Sequence, residues 1–155
     1  MTITPSGNSP YGTAVTLTIT LDGITSGSLA LSSAFACPAD AAGTYYDTAD
    51  IRINLGAATA LGTAAPVYVQ ALCVAELDGT NTPFLAASNG QIFPPNGSTQ
   101  ASYPPNVSAQ YLDIYGLPLL PGATNIAIAI LNNLGMTLPA SGVTATLYPR
   151  MGALG

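Results

Sequence analysis

The amino-acid sequence predicts an all-β fold, and three observations support this prediction. Apolar and polar residues alternate in several short runs, turn-forming pairs such as Asp22-Gly23 and Ser141-Gly142 separate these runs, and no window longer than about ten residues has the apolar period of a helix. Glycine and proline supply 16 and 13 of the 155 residues, which also favours short strands joined by turns. We expect an antiparallel β-sandwich of jelly-roll type with about eight strands; an immunoglobulin-like sandwich is the alternative.

Most of the predicted strands have one apolar face and one polar face. In Ala14–Leu21, threonine alternates with valine, leucine and isoleucine, which is the two-residue period of a half-buried strand. The same alternation occurs in Ile51–Leu55, Tyr111–Tyr115 and Val143–Tyr148, and weaker candidates are Leu29–Leu31 and Pro83–Ala87.

Two runs are apolar almost throughout. Val67–Leu77 and Ile126–Leu131 have few polar residues, which is typical of central strands that are covered on both faces. The alanine-rich stretch Gly56–Ala65 carries too little apolar bulk for an amphipathic helix.

The chain is expected to form a single domain with a flexible N-terminal arm and a C-terminal tail. We assign residues 1–12 to a flexible N-terminal arm, 13–150 to the sandwich and 151–155 to a tail. Ser88–Ala109 has no strand pattern and is predicted to be a long proline-rich loop, in which Phe93-Pro-Pro-Asn is followed by Tyr103-Pro-Pro-Asn. This loop is either an arm that binds a partner or a surface loop whose two aromatic residues pack on their own domain.

The charge composition excludes several classes of partner. The chain has two arginines, no lysine and no histidine, and its net charge is −5. Nucleic-acid binding is not expected, because neutralising phosphates requires clustered cations. The N-terminus has neither the basic nor the apolar region of a signal peptide, and the apolar run Ile126–Leu131 is far shorter than the roughly 20 residues that span a bilayer. We therefore expect synthesis in the cytoplasm and no membrane partner.

The sequence also argues against catalysis. Without histidine and lysine, the usual bases near neutral pH are missing. Cys37 and Cys73 have no cationic neighbour in sequence, so we expect two free, buried thiols; a disulfide between them is the alternative. Calcium binding has two candidate sites, the acidic residues around Tyr45 and the segment Glu76–Asn81, but neither follows the ligand order of a calcium loop. A hairpin turn accounts for the segment Glu76–Asn81. We predict no enzyme activity, no metal and no cofactor.

Aromatic residues are the main candidates for binding. The eight tyrosines are suited to a protein interface or to a platform on which sugars stack. Our candidates for a partner interface are Tyr45, Tyr46, Phe93 and Tyr103. Because no lysine protects the strand edges, we expect a homodimer or homotrimer.

The second half of the chain resembles small virion proteins of tailed bacteriophages, whose β-sandwiches decorate or cement phage heads. The similar features lie between Ile51 and Arg150 and follow the family's order of turns and strands: Asp78-Gly-Thr-Asn81, Leu120-Pro-Gly122, a strand ending in Asn132-Asn133, Leu138-Pro-Ala-Ser-Gly142 and Thr146-Leu-Tyr148.

This resemblance implies a structural role without catalytic residues. It implies a head decoration or cement subunit that self-associates and binds the major capsid protein. Because packaged DNA would repel a net charge of −5, we expect attachment on the outer surface of the capsid. A tail or neck component of the same fold is one alternative. A carbohydrate-binding, lectin-like module is the other.

Overall fold

The structure, a computed structural model, describes residues 11–76 and 98–151. These residues contain no helix, and hence no helix that could cross a membrane. Their nine strands are β1 (Val15–Thr16), β2 (Leu29–Leu31), β3 (Phe35–Ala36), β4 (Thr48–Ala60), β5 (Val67–Glu76), β6 (Ser98–Tyr103), β7 (Ser108–Pro118), β8 (Asn125–Asn133) and β9 (Thr144–Arg150).

The strands form two antiparallel sheets that pack on each other. The four-stranded sheet has the order β1-β9-β4-β7, and the five-stranded sheet has the order β2-β8-β5-β6 with β3 also paired to β8. One core cluster joins the sheets, with Ile51 and Leu147 from the first and Val69 and Ile128 from the second. This confirms the predicted antiparallel β-sandwich, while the jelly-roll type stays a prediction.

The alternation in β4 sets the two faces of the four-stranded sheet. Ile51 and Ile53 are 1% exposed and point into the core, so Arg52 between them lies on the outer face. The pairing of β4 with β7 shifts at Asp50: Ala49 pairs with Leu117, and Ile51 pairs with Ile114. Two residues of β7, Tyr115 and Gly116, therefore lie opposite the single residue Asp50, which is a β-bulge.

The central position of β5 and β8 confirms the prediction from their apolar runs. Every residue of Ile126–Leu131 is buried. One face of β8 joins the main core, and the other forms a second apolar cluster, which consists of Leu72, Val74, Ala127, Ala129 and Leu131.

The first predicted strand is shorter than expected. Only Val15–Thr16 forms a strand, although alternation continues to Leu21. The chain changes partners here: the Leu17 N–H still donates to Ala145 of β9, whereas the Thr18 carbonyl accepts from Ser33, which lies between β2 and β3. A crossing between the two sheets therefore ends the strand.

The prediction of a loop over Ser88–Ala109 is wrong for its second half. Ser98–Tyr103 forms β6 and pairs with β5, from Leu72 with Ser98 to Val67 with Tyr103. Its alternate residues Ala101 and Tyr103 pack against the core, but one small and one aromatic residue make an alternation too weak to identify in the sequence. Residues 88–97, like the weak strand candidate Pro83–Ala87, lie outside the described residues.

The end of the predicted N-terminal arm is bound rather than flexible. Tyr11 forms a β-bridge with Arg150, and the Gly12 N–H donates to the Pro149 carbonyl at 2.7 Å. Residues 1–10 and 152–155 lie outside the described residues.

Candidate functional site

A cleft of about 350 Å³ lies on the outer face of the four-stranded sheet. Strands β4, β7 and β9 form its floor and walls, and Tyr11 closes it at the β9 side. Its lining residues are Tyr11, Asp50, Ile51, Arg52, Asp113, Tyr115 and Tyr148. Three tyrosines and three charged side chains therefore meet on one sheet.

Arg52 and Asp113 form a bidentate ion pair in the cleft. They are direct cross-strand partners, and Arg52 donates from Nε to Oδ1 and from Nη2 to Oδ2, both at 2.8 Å. The Arg52 guanidinium carbon also lies 4.9 Å from the ring centre of Tyr111. The hydrogen bonds from Arg52 hold the pKa of Asp113 below its usual value, and those to Asp113 raise the pKa of Arg52.

Asp50 is the most enclosed acidic group of the cleft, with a side chain that is 9% exposed. Its Oδ1 accepts from the Gly116 N–H at 2.8 Å and from Arg150 Nε at 3.0 Å, and its Oδ2 accepts from the Tyr11 hydroxyl at 2.7 Å. Burial by itself raises the pKa of Asp50, but these hydrogen bonds outweigh burial and the pKa is lowered.

The tyrosines of the cleft are restrained but accessible. Tyr115 is 65% exposed and Tyr11 is 44% exposed. The Tyr115 hydroxyl donates to Asp113 Oδ2 at 3.2 Å, and the rings of Tyr11 and Tyr148 meet edge to face with their centres 6.4 Å apart. The hydrogen bond to Asp50 raises the pKa of Tyr11, and the charge of Asp113 raises the pKa of Tyr115.

A second group of exposed apolar side chains, here called the loop-end surface, consists of Tyr45 and Leu120. They are 44% and 40% exposed. Their two loops are in direct contact, because the Cys37 thiol donates to the Leu120 carbonyl at 3.4 Å and the Leu119 N–H donates to the Asp47 carbonyl at 2.8 Å.

The Tyr45 loop is stabilised by its own acidic residue. Asp40 Oδ1 accepts the N–H groups of Ala42 and Thr44, both at 2.9 Å. These bonds shape the turn that presents Tyr45. Among the described residues, no group of three or more cysteine or acidic side chains is placed to hold a metal ion.

The predicted interface residues have different surroundings. Tyr45 belongs to the loop-end surface, whereas Tyr46 is half-buried against the core beside Gly12. Tyr103 also packs on the core, and its hydroxyl accepts the Asp113 N–H at 3.1 Å. None of these three lines the cleft, and Phe93 lies outside the described residues.

The residues that form the cleft are not among the interface candidates predicted from the sequence. Arg52, Asp113 and Tyr115 occupy the polar positions of correctly predicted strands, so their outward orientation was readable from alternation. Their proximity was not, because alternation does not show which strands are neighbours.

Both cysteines are free and buried, as predicted. Burial raises the pKa of Cys37, and it raises the pKa of Cys73 to about 12. Because the thiolate is the reactive form, neither side chain is prepared for nucleophilic attack.

No family model, curated protein or solved structure matched this chain.

Proposed function

We propose that this protein is a non-enzymatic structural subunit of a tailed-phage virion, of the head decoration or cement type. In this proposal it self-associates, binds the major capsid protein on the outer surface of the shell, and makes that contact through the loop-end surface. The observation that carries the proposal is that exposed tyrosines and Leu120 provide contact surfaces on a sandwich whose two arginines are both paired with aspartates of the same chain.

The titration behaviour of the cleft supports binding over catalysis. The pKa values of Asp50 and Asp113 are lowered, and those of Tyr11 and Tyr115 are raised. General acid–base catalysis works best with a group whose pKa lies near the working pH. All four pKa values are shifted away from neutrality, so these groups are poorly suited to proton transfer, which supports the non-enzymatic part of the proposal.

The ion pairs support attachment that does not depend on charge. The chain has two arginines, and both are paired internally, Arg52 with Asp113 and Arg150 with Asp50. Neither arginine is therefore left unpaired to attract an acidic shell, so in this proposal attachment relies on apolar and hydrogen-bonding contacts, for which tyrosine is well suited. The net charge of −5 also favours the outer surface over the interior that holds DNA.

A salt wash of purified particles tests this mode of attachment. At about 1 M salt the Debye length is about 3 Å, which removes proteins held by surface charge. We expect this subunit to stay on the heads in salt and to leave in denaturant. Release by salt alone, or co-purification with tails only, would contradict the proposal.

Substitutions in the loop-end surface test the location of the contact. The double variant Tyr45→Ala with Leu120→Ser should lower the occupancy of the heads about tenfold or more, because it removes both exposed apolar groups. Tyr111→Ala is the matched control, since Tyr111 is 47% exposed but lies beside Arg52 on the four-stranded sheet. Equal occupancy for both variants would refute the assignment of the loop-end surface.

Light scattering tests the self-association. A single chain has a mass of 15.5 kDa, and we expect twice or three times that mass at micromolar concentration. The strand edges lack lysine, which natural monomers use against edge-to-edge pairing. A 15.5 kDa particle would exclude the oligomer.

A further inference from the structure

We propose that the cleft on the four-stranded sheet binds a neutral pyranose unit of a glycan. This function is separate from shell attachment, which we assign to the loop-end surface. A volume of about 350 Å³ suits one or two sugar rings, and the cleft opens to solvent, so that a unit within a longer glycan can enter.

The exposed tyrosines supply the stacking surface. One face of a pyranose ring carries mostly C–H groups, which pack favourably on the face of an aromatic ring. Tyr115 and Tyr11 are accessible, and hydrogen bonds to Asp113 and Asp50 hold their hydroxyls in place. Because the rings are restrained before the ligand arrives, binding costs little side-chain entropy.

The ion pair of the cleft supplies the polar contacts. Its two bonds engage Nε and Nη2 of Arg52, which leaves the Nη1 hydrogens without an acceptor among the described residues. The side chains of Arg52 and Asp113 are 48% and 23% exposed. Donors and acceptors therefore lie side by side, which is the arrangement that neighbouring sugar hydroxyls require, since each hydroxyl both donates and accepts.

The charge balance selects a neutral ligand. Asp113 is neutralised by Arg52 and Asp50 by Arg150, so the cleft and its immediate support carry no net positive charge. The chain as a whole has a charge of −5, which repels polyanions. Sialylated, uronic-acid and phosphorylated glycans should therefore bind more weakly than neutral ones.

A glycan array probed with the full-length protein tests the proposal. The array should carry neutral oligosaccharides of hexoses and N-acetylhexosamines in both anomeric linkages, together with acidic counterparts. We expect saturable binding to at least one neutral class. Tyr115→Ala should weaken it about tenfold or more, whereas Tyr115→Phe, which keeps the ring, should weaken it less.

Tyr45→Ala is the matched control, because Tyr45 is as exposed as Tyr11 but does not line the cleft. It should bind glycan like the parent protein while it tests shell attachment, so the two proposals can fail independently. Tyrosine fluorescence gives a second readout that needs no substitution, because the chain has no tryptophan to mask the tyrosine signal. Quenching of this fluorescence by acrylamide should decrease when a neutral oligosaccharide from the array is bound.

Three results would overturn the proposal. They are no binding to any neutral glycan on the array, binding to acidic glycans only, and a folded Tyr115→Ala variant whose affinity for the neutral glycan is unchanged. Circular dichroism confirms folding of each variant.

Discussion

The hydroxyl of Tyr11 donates a hydrogen bond of 2.7 Å to Oδ2 of Asp50, which lies 39 positions further along the chain. This bond connects the segment before β1 to the middle of the four-stranded sheet. It also determines one wall of the cleft, because the Tyr11 ring that it restrains contacts Tyr148.

Tyr11→Phe should lower the free energy of unfolding by about 1 kcal/mol, because a part-buried carboxylate loses one of its donors. Urea denaturation measures the change. Tyr45→Phe, which removes a hydroxyl from an exposed side chain, should change the stability by much less. Equal effects of the two variants would show that the bond to Asp50 contributes nothing.

Stability should decrease in acid because of Asp50 and Asp113. Both pKa values are lowered in the folded protein, so each carboxylate contributes stability above the unfolded pKa of about 3.9 and loses it as the pH falls through the folded value. Urea midpoints should therefore be constant near neutrality and fall below about pH 4.

Asp50→Asn should flatten this acid decrease and cost about 1–3 kcal/mol at neutral pH, since it weakens bonds to Gly116, Arg150 and Tyr11. Asp113→Asn is the comparison, and it should cost less because solvent screens its more exposed ion pair. An acid profile that is identical in the parent and Asp50→Asn would contradict this account.

Gly116→Ala should destabilise the protein by about 1–2 kcal/mol through backbone strain. Gly116 has a φ of 73° in the bulge opposite Asp50, and the closest atom to an added Cβ is Arg150 Nη2 at 3.6 Å, so there is room for the methyl group. Gly116→Asn should cost less, because asparagine tolerates this conformation better. Thermal melting compares the two variants. A Gly116→Ala variant with the melting temperature of the parent protein would refute the strain.

Both thiols should be unreactive in the folded protein. Cys37 and Cys73 are buried with raised pKa values, so a disulfide reagent at about pH 8 should react only slowly, and both thiols should react at once in denaturant. The absorbance of the chromophore that the reagent releases measures how many thiols have reacted. Fast reaction of one thiol in native buffer would show that its surroundings open to solvent.

The sequence by itself determined the fold class and the orientation of many side chains. The alternation in Ile51–Leu55 placed Arg52 on an outer face, and the apolar run Ile126–Leu131 predicted a central strand. Successive side chains of a strand point to opposite faces, so a strand buried on one face alternates and a strand buried on both faces is apolar throughout. Both features are local, so a single segment of chain is enough to identify them.

Only the tertiary structure decided which outward side chains meet. Arg52 pairs with Asp113, 61 positions away, and Arg150 with Asp50, 100 positions away. β6 forms from a segment with only weak alternation, because its main chain pairs with β5 and its Ala101 and Tyr103 pack against the core. Strand neighbours are chosen by packing of the whole core and by backbone hydrogen bonds that are nearly independent of side-chain identity, so the cleft could not be read from any one segment.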